Sequence, residues 1–221
     1  MFRHALTFFA ALALSAAPAA ATARPAPIED SLAARLAACT VCHGKEGRAA
    51  PDGYHPRIAG KPAVYLLNQL LNFRDGRRAY GPMVAMVTPL SEPYLREIAA
   101  HYAALDLPYA APLAPAAAPA LLARGRQLAL EGDAARGLPA CGACHGSTLT
   151  GRLPATPGLL GLPRDYLVGQ LGAWLNGQRR AHAPDCMADI VKRMAGDDVA
   201  AVTAWLASQP VPAGAKAAAA P

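Results

Sequence analysis

The motif Cys-x-x-Cys-His occurs twice, at residues 39–43 and 141–145. Two thiols three residues apart can reach the two vinyl groups of one haem and form thioethers, and the next residue's imidazole then lies beneath the iron as the proximal ligand. Each copy therefore predicts one covalently bound c-type haem. The residues involved are Cys39, Cys42 and His43 in the first copy and Cys141, Cys144 and His145 in the second. Such a chain must fold around two large planar groups.

Two other kinds of site use paired cysteines. A thioredoxin-like redox pair needs no histidine at the next position and usually accompanies a βαβ pattern, which this sequence lacks. A structural zinc site could combine the four thiolates but would leave both adjacent histidines unexplained. Two Cys-x-x-Cys pairs, each followed by His-Gly, favour haem over these two kinds of site.

The motifs lie in an internal repeat of about 100 residues. Cys39 and Cys141 are 102 positions apart, and matching residues follow in the same order in both halves. The matches are His43-Gly44 with His145-Gly146, Pro56 with Pro157, Gly60-x-Pro62 with Gly161-x-Pro163, Tyr65-Leu66 with Tyr166-Leu167, Gln69-Leu70 with Gln170-Leu171, and Gly76 with Gly177. Two copies indicate a duplicated domain and not a solenoid.

The repeat and the local composition divide the chain into five segments. Residues 108–119 contain prolines at a density that prevents a helix and favours extended backbone, which predicts a semi-rigid linker. Residues 211–221 are mostly alanine and proline, which predicts a disordered tail. The expected order is a signal peptide at 1–23, a first domain at 24–107, the linker, a second domain at 120–210 and the tail.

The amino terminus predicts export. Arg3 precedes an apolar run from Ala5 to Ala17, and Ala21-Thr22-Ala23 matches an A-x-A cleavage site, so the mature chain is expected to begin near Arg24. An uncleaved anchor is the alternative, but Pro18 and the many alanines make the run short and weak for a span of about 20 residues. A periplasmic location also suits the thiols, because c-type haem is attached outside the cytoplasm, where a disulfide would otherwise compete.

Helical signals recur in both halves, and no alternating apolar and polar pattern predicts a strand, so the fold class is all-α. One helix is expected from Ala63 to Arg74, ending at Gly76, and its counterpart from Pro163 to Leu175, ending at Gly177. Ser91 can cap a helix with an apolar stripe. The stripe residues are Leu95, Ile98, Tyr102 and Leu105, and Val199, Val202 and Leu206 in the second half. Shorter helices are expected near 30–38 and 121–131.

A haem iron with one histidine ligand needs a second axial ligand, unless that position stays open for substrate. Aligning the final helices places Met83 and Met187 at the same position of the two halves, 40 and 42 residues after their histidines. Methionine ordinarily fills the core, but this coincidence, in loops that follow the two helix stops, predicts that both bind iron. Met86 and Met194 are then expected in the core.

A few other side chains could compete for the iron. His55, His101 and His182 each occur in one half only, and His182, in the loop that leads to Met187, is the alternative we retain. Cys186 is left over from the haem motifs. It is expected to be a buried small side chain, and the alternatives are an axial thiolate or an intermolecular disulfide.

Beyond these motifs, the chain resembles the diheme cytochromes c4 over nearly its whole mature length. In the first half the resemblance is carried by Cys-x-x-Cys-His-Gly, Ile58-Ala59-Gly60-Lys61-Pro62, Tyr65-Leu66-x-x-Gln69-Leu70, Phe73-Arg74-x-Gly76, and Met83 before Pro89-Leu90-Ser91. In the second half it is carried by Arg124-Gly125-Arg126-Gln127-Leu128, Leu138-Pro139-Ala140-Cys141, the second haem motif and Met187.

The resemblance implies two class I cytochrome c domains related by a pseudo-twofold axis, each with His/Met ligation of its iron. It also implies that Pro56 and Pro157 offer backbone carbonyls to the imidazole N–H groups of His43 and His145, which would orient both rings. Two features depart from the family pattern. The loop before the second methionine is three residues longer than its counterpart, and a cysteine at position 186 is unusual.

Charge adds little to the choice of partner. Without Arg3 the chain carries 20 basic and 15 acidic residues, and four haem propionates would lower its net charge to about +1 with both irons ferrous and about +3 with both ferric. Nucleic acid is not expected as a partner, because no basic stripe is interleaved with aromatic residues. Four arginines are expected near propionates, on a docking face for an acidic partner, or at solvated helix ends. They are Arg77, Arg78, Arg179 and Arg180.

The expected function is electron transfer in the periplasm without substrate chemistry. The resemblance implies redox proteins as partners, with a reductase or flavoprotein as donor and a terminal oxidase as acceptor, and it allows peripheral association with the membrane. The same architecture also resembles the cytochrome subunit of flavocytochrome c sulfide dehydrogenase. A diheme enzyme, such as a thiosulfate dehydrogenase or a peroxidase, is the less favoured alternative, because only Cys186 suggests an open or labile iron.

Overall fold

The computed structural model describes residues 31–112 and 117–219. The predicted signal peptide and the centre of the predicted linker lie outside these ranges. Within them the fold is helical, apart from one short antiparallel pair, β1 (Gly151–Arg152) with β2 (Thr156–Pro157). This confirms the all-α class. In this part of the chain, every helix is too short or too polar to cross a membrane.

The helices follow the repeat. Those of the first half are α1 (Leu32–His43), α2 (Ala63–Arg74), α3 (Gly81–Val87) and α4 (Glu92–Ala104). Those of the second half are α5 (Pro119–Leu130), α6 (Cys141–His145), α7 (Arg164–Leu175), α8 (Cys186–Val191) and α9 (Gly196–Ser208). The predicted helices around residues 63–74 and 163–175 are confirmed. The predicted methionine loops instead contain α3 and α8, which are too short to show a clear sequence period.

In the first half, α2 packs against α4. The predicted stripe on α4 is confirmed, since Leu95, Ile98 and Tyr102 are buried, while Leu105 lies just beyond the helix end. Ser91 stands at the amino-terminal cap of α4, although its side chain makes no capping hydrogen bond. These residues form one apolar core together with the buried face of α2.

In the second half, α5 packs closely along α9, and α7 packs against α9. Val199, Val202 and Leu206 are buried, as their spacing predicts. The close approach depends on Gly125, because a Cβ there would lie 2.2 Å from the carbonyl oxygen of Ala201 on α9. This helix pair forms the frame on which the second haem motif is placed.

A network of ion pairs ties α5 and the following turn to the start of α9. Arg124 on α5 contacts Asp133 at 2.8 Å and Asp198 at 2.9 Å. Arg136 pairs with the second carboxylate oxygen of Asp198. Asp198 is buried, so both charges are needed to compensate its lost hydration. The turn that precedes the second haem motif is thereby fixed to the domain.

The described ends of the linker have defined contacts. Arg57 donates hydrogen bonds to the carbonyls of Leu107 and Pro108, and its guanidinium lies 3.9 Å from the centre of the Tyr109 ring. Tyr109 packs against Gly161 of the second domain, where a Cβ would lie 2.4 Å from the ring. These contacts connect the first described residues of the predicted linker to both domains.

The predicted disordered tail also has defined contacts in its described part, residues 211–219. The Ala218 amide donates to Gly151, and the Leu153 amide donates to Ala218, so this segment extends β1 along its edge. Lys216 pairs with Asp106 of the first domain at 2.8 Å. This differs from the expectation because backbone hydrogen bonds to a strand edge require no particular side chains, so composition gives no sign of them.

Candidate haem sites and the interface between them

The two haem motifs are helical. The first forms the last turn and a half of α1, and the second forms all of α6. Helical geometry places residues three apart on the same face, so the two thiols of each motif point to the same side. Gly44 follows the first motif with φ +73°, and a Cβ there would lie 2.3 Å from the Ala49 carbonyl oxygen. The His-Gly step is therefore needed to turn the chain sharply after each histidine.

Both motif histidines are oriented by a backbone carbonyl. His43 Nδ1 donates to the carbonyl of Pro56, and His145 Nδ1 donates to that of Pro157, each at 2.8 Å. The expected pairing with these prolines is confirmed. A carbonyl can only accept, so Nδ1 carries the proton, and the lone pair of Nε2 is left for a metal.

Burial keeps these imidazoles neutral. It lowers the pKa of both His43 and His145, and this effect outweighs the opposing hydrogen bond to the proline carbonyl. A neutral imidazole with its Nε2 unprotonated is the form that binds iron. Burial also raises the pKa of the Cys141 thiol to about 11 and raises that of Cys39.

The geometry gives no support to a zinc site. In residues 31–112 and 117–219, no three or more histidine, cysteine, aspartate or glutamate side chains are grouped so that they could hold a metal ion. The two cysteine motifs thus form two separate sites, one in each domain, and not a shared thiolate cluster.

Met83 and Met187 occupy equivalent places in the short helices α3 and α8. Met83 lies four residues before Val87, and Met187 lies four residues before Val191; these buried valines end the two helices. Both methionines are partly buried. Met83 packs against the first core. The structure therefore aligns the same two methionines that the sequence repeat aligns.

The other two methionines differ from each other. Met194 packs against the core of the second domain, as expected. The expectation that Met86 lies in the core is wrong, because its side chain is 43% exposed. On a helix of seven residues, one face can remain open to solvent, and the sequence of α3 does not show which.

The alternative histidines lie in three different settings. His55 contacts Asp52 through Nδ1 and the Tyr80 hydroxyl through Nε2, and its ring centre lies 6.2 Å from that of His43. His101 on α4 lies edge-on to Tyr102. His182 is exposed. None of the three matches the shared position that the two aligned methionines occupy.

Cys186 is exposed at the start of α8, so the expectation of a buried side chain is wrong. The neighbouring Asp185 caps the helix by accepting from the Ala188 amide, and its other oxygen accepts from Trp174 Nε1 at 3.3 Å. The longer second loop thus contributes a helix cap to α8 that its counterpart α3 lacks.

The two domains meet in a reciprocal arrangement around Arg78 and Arg179. These residues form an antiparallel bridge, in which the Ala79 amide donates to Gln178 and the Arg180 amide donates to Arg77. Because each contact has a counterpart with the domains exchanged, the interface has the expected pseudo-twofold symmetry.

The two guanidinium groups share the same acceptors. Arg78 donates to Gln69 at 3.0 Å and to Gln170 at 2.5 Å, while Arg179 donates to Gln170 at 2.7 Å and to Gln69 at 3.0 Å. Arg78 also donates to the Tyr166 hydroxyl. We call these two arginines and two glutamines the interface lattice.

The interface lattice contains two positive charges that are almost completely buried from solvent. Arg78 and Arg179 are 8% and 7% exposed, and each lies over an aromatic ring of its own domain, Phe73 or Trp174. Within the described residues, neither has a carboxylate partner. Buried cations are costly without an anion, so the site is suited to a further anionic group, and haem propionates are of that kind.

The other two arginines of the predicted set lie outside the interface core. Arg77 is partly exposed and pairs with Asp75 at 3.1 Å. Arg180 is exposed, and its side chain donates a long hydrogen bond to the Gly76 carbonyl. The four arginines therefore divide into a buried pair and a solvated pair.

Comparison with known proteins gives several relatives that match most of the chain, although no family model matches it. A "thiosulfate dehydrogenase electron acceptor" from Thiomonas intermedia is 38% identical over 79% of this chain and 80% of its own length. A protein of the same name from Stutzerimonas stutzeri is 34% identical over 77% and 78%. Cytochrome c4 from Pseudomonas aeruginosa is 31% identical over 78% and 84%.

Solved structures agree with these relatives. Cytochrome c4 from Pseudomonas stutzeri has a TM-score of 0.67 at 29% identity, covering 79% of this chain and 94% of its own. A thiosulfate dehydrogenase from Marichromatium purpuratum has a TM-score of 0.71 at 34% identity over 78% of this chain, which spans about a third, 36%, of that longer chain. With two class I cytochrome c domains and two covalently bound c-type haems, the chain belongs to the cytochrome c4 family of diheme electron carriers.

Proposed function

We propose that this chain accepts electrons from a thiosulfate dehydrogenase and passes them to a terminal oxidase in the periplasm. The observation that carries the proposal is the 38% identity, over 80% of the relative's length, to an electron acceptor of that enzyme. This identity exceeds the 31% to cytochrome c4 from P. aeruginosa. The same fold also forms part of a thiosulfate dehydrogenase chain, which supports direct contact between such an enzyme and a domain pair of this kind.

The residues proposed to hold the haems are those of the two repeats. Thioether bonds would be made by the motif cysteines, and iron would be bound by one histidine and one methionine in each domain. The full set is Cys39, Cys42, His43 and Met83 in the first domain, and Cys141, Cys144, His145 and Met187 in the second. The neutral, carbonyl-bound imidazoles and the equivalent positions of the two methionines support this assignment.

When bound, each haem supplies one reversible electron, and His/Met ligation raises its reduction potential relative to ligation by two histidines or a thiolate. The protein's part is to exclude water, orient the imidazoles and provide charge. Arg78 and Arg179 are proposed to face propionates at the domain boundary, where their buried charges have no other anion among the described residues. Both haems would then approach each other at the interface lattice.

An electron carrier must also bring each haem close to its surface. Val41, between the two thiols of the first motif, is 80% exposed. The thioether side of the first haem would therefore lie near solvent, where a partner can dock. No bond of a substrate has to be made or broken there.

Reduction by a partner enzyme tests the proposal. The oxidised holoprotein is mixed with thiosulfate and a catalytic amount of purified thiosulfate dehydrogenase, and both haems are followed by stopped-flow absorbance. We expect full reduction with the enzyme and none with thiosulfate alone. A single-haem cytochrome c of similar potential serves as the control acceptor and should be reduced more slowly.

The alternatives give different results in the same assay. Reduction by thiosulfate without added enzyme would support the diheme enzyme. Reduction by sulfide and a flavoprotein, without reduction by the thiosulfate system, would support a flavocytochrome c subunit. A purified terminal oxidase that fails to reoxidise the reduced protein would contradict the proposed acceptor.

A further inference from the structure

Lys61 is a buried cation that the ligand assignment does not use. It lies in the first domain, is 5% exposed, and donates from Nζ to the Gly158 carbonyl of the second domain at 3.3 Å. This carbonyl is its one hydrogen-bond acceptor in the described residues. Burial, with a further contribution from Arg57, lowers the pKa of Lys61 to about 8. Even with this lower pKa, the ammonium carries a positive charge over much of the neutral pH range.

The ammonium lies close to the backbone segment that orients His145. Gly158 directly follows Pro157, whose carbonyl accepts the hydrogen bond from His145 Nδ1 at 2.8 Å. After the larger effect of burial, the charges of Lys61 and Arg179 each lower the pKa of His145 further. The first domain thus contributes a cation to the electrostatic environment of the second domain's haem-motif histidine.

In the described part of the first site, no cation occupies the position equivalent to that of Lys61. The repeat pairs Gly60-x-Pro62 with Gly161-x-Pro163, so the counterpart of Lys61 is Leu162, which is buried and apolar. The charges that act on His43 are instead Arg78, which has its equivalent in Arg179, and the Asp52 and His55 pair. The arginines are shared evenly, so the two sites differ in Lys61 near the second and in the His55–Asp52 pair near the first, whose two members act on His43 in opposite directions.

We propose that Lys61 holds the reduction potential of the second haem above that of the first, so that the first electron taken from a redox partner resides in the second domain. Oxidation of the iron adds one positive charge, and a nearby buried cation disfavours that state. Reduction takes one electron and leaves every bond in place. One unit charge acting over roughly 10 Å at an effective dielectric constant of about 20 changes the equilibrium by about tenfold. For a one-electron couple this is about 59 mV.

The test measures the potential of each haem in the holoprotein. Hyperfine-shifted haem-methyl NMR signals are followed through a redox titration, with each haem assigned in the Met187→Ala variant. Lys61→Gln removes the charge but keeps a donor for Gly158. We expect Lys61→Gln to lower the reduction potential of the second haem alone. In the one-electron-reduced protein, the ratio of electron occupancy should then change about tenfold in favour of the first haem. Lys61→Arg keeps the charge and should stay near the wild type.

Lys192→Gln is the matched control, because it removes an exposed positive charge in the second domain and should change electron sharing less than about twofold. If Lys61→Gln does not take up both haems, Lys61→Met provides the same comparison with an apolar chain of similar length. The proposal is overturned if both haems shift equally, if Lys61→Arg shifts as much as Lys61→Gln, or if the folded neutral variant keeps the wild-type difference. The proposal for Lys61 requires both haems, but it does not depend on which enzyme donates the electrons.

Discussion

Replacing Gly125 by alanine is expected to destabilise the second domain. A Cβ at this position on α5 would lie 2.2 Å from the carbonyl oxygen of Ala201 and 2.7 Å from Trp205 Cβ on α9. Ordinary contact begins near 3.4 Å, so α5 would have to move back by about 1 Å in a core packed at crystal-like density. The atoms in the way are backbone and Cβ, which cannot swing aside as the end of a long side chain can.

The loss of stability expected for Gly125→Ala is the difference between two opposing effects. Forcing an extra methyl group into a tightly packed contact costs about 1–3 kcal/mol, and a backbone clash lies at the upper end. Alanine returns about 1 kcal/mol through its better helix propensity. The net loss is about 2 kcal/mol, which for a domain of this size lowers Tm by about 10 °C.

Gly172→Ala is the matched control. This residue lies on α7 with no atom within 4 Å of its added Cβ, and the equivalent position of the first domain is occupied by Leu71. The same chemical change should therefore raise stability, by up to about 1 kcal/mol. Thermal unfolding of the holoproteins is followed by far-ultraviolet circular dichroism and by the Soret band. If Gly125→Ala retains both haems and unfolds at or above the wild-type Tm, the argument from the close α5–α9 approach is refuted.

Further predictions concern the haems and pH. The holoprotein should keep two haems after acid-acetone extraction, since thioether bonds survive it. Met83→Ala and Met187→Ala should each remove about half of the near-infrared methionine-to-iron band of the oxidised protein. Cys186→Ser should leave the spectrum and both potentials nearly unchanged, because the thiol faces solvent. The hydrogen bond from His55 lowers the pKa of Asp52 from 3.8 to about 2. This stabilisation is present above pH 3.8 and is lost as pH falls toward 2, so Asp52→Asn should flatten the decline of the urea midpoint over that range.

Each of these predictions has a control or a contrary outcome. A mass with one haem or none would contradict the haem count. Met86→Leu and Met194→Leu should leave the near-infrared band intact, and loss of the band in Met86→Leu but not in Met83→Ala would make Met86 the ligand. A large rise of one potential in Cys186→Ser, with a new methionine band, would identify Cys186 as the resting ligand. An unchanged acid profile in Asp52→Asn would show that its hydrogen bond with His55 adds no stability.

The local parts of both sites could be predicted from the sequence. The haem motifs and the buried faces of α4 and α9 depend on residues close together in the chain or on a repeated pattern. The role of the Pro56 and Pro157 carbonyls was instead implied by the resemblance to the cytochromes c4. Duplication made these inferences stronger, because each could be checked in the other half. For the same reason, the repeat favours Met83 and Met187 among the five methionines, and their ligand role stays a prediction.

The contacts between the halves could not be predicted in the same way. Four arginines occur in two adjacent pairs, and composition gives no reason to separate them. In extended backbone, neighbouring side chains point to opposite faces, so the bridge between Arg78 and Arg179 buries this pair and leaves Arg77 and Arg180 to solvent. The role of Lys61 also depends on a carbonyl nearly a hundred residues away.

The interface lattice is self-complementary. Each half contributes one arginine and one glutamine, and each glutamine accepts from both arginines. A single ancestral half with these two residues could therefore have paired with a second copy of itself as a symmetric homodimer. In that homodimer both haem environments would have been identical. Two halves joined in one chain are free to differ, and here Lys61 stands at a position whose counterpart is Leu162. With the role proposed for Lys61, this difference would give the electron a direction that two identical subunits cannot provide.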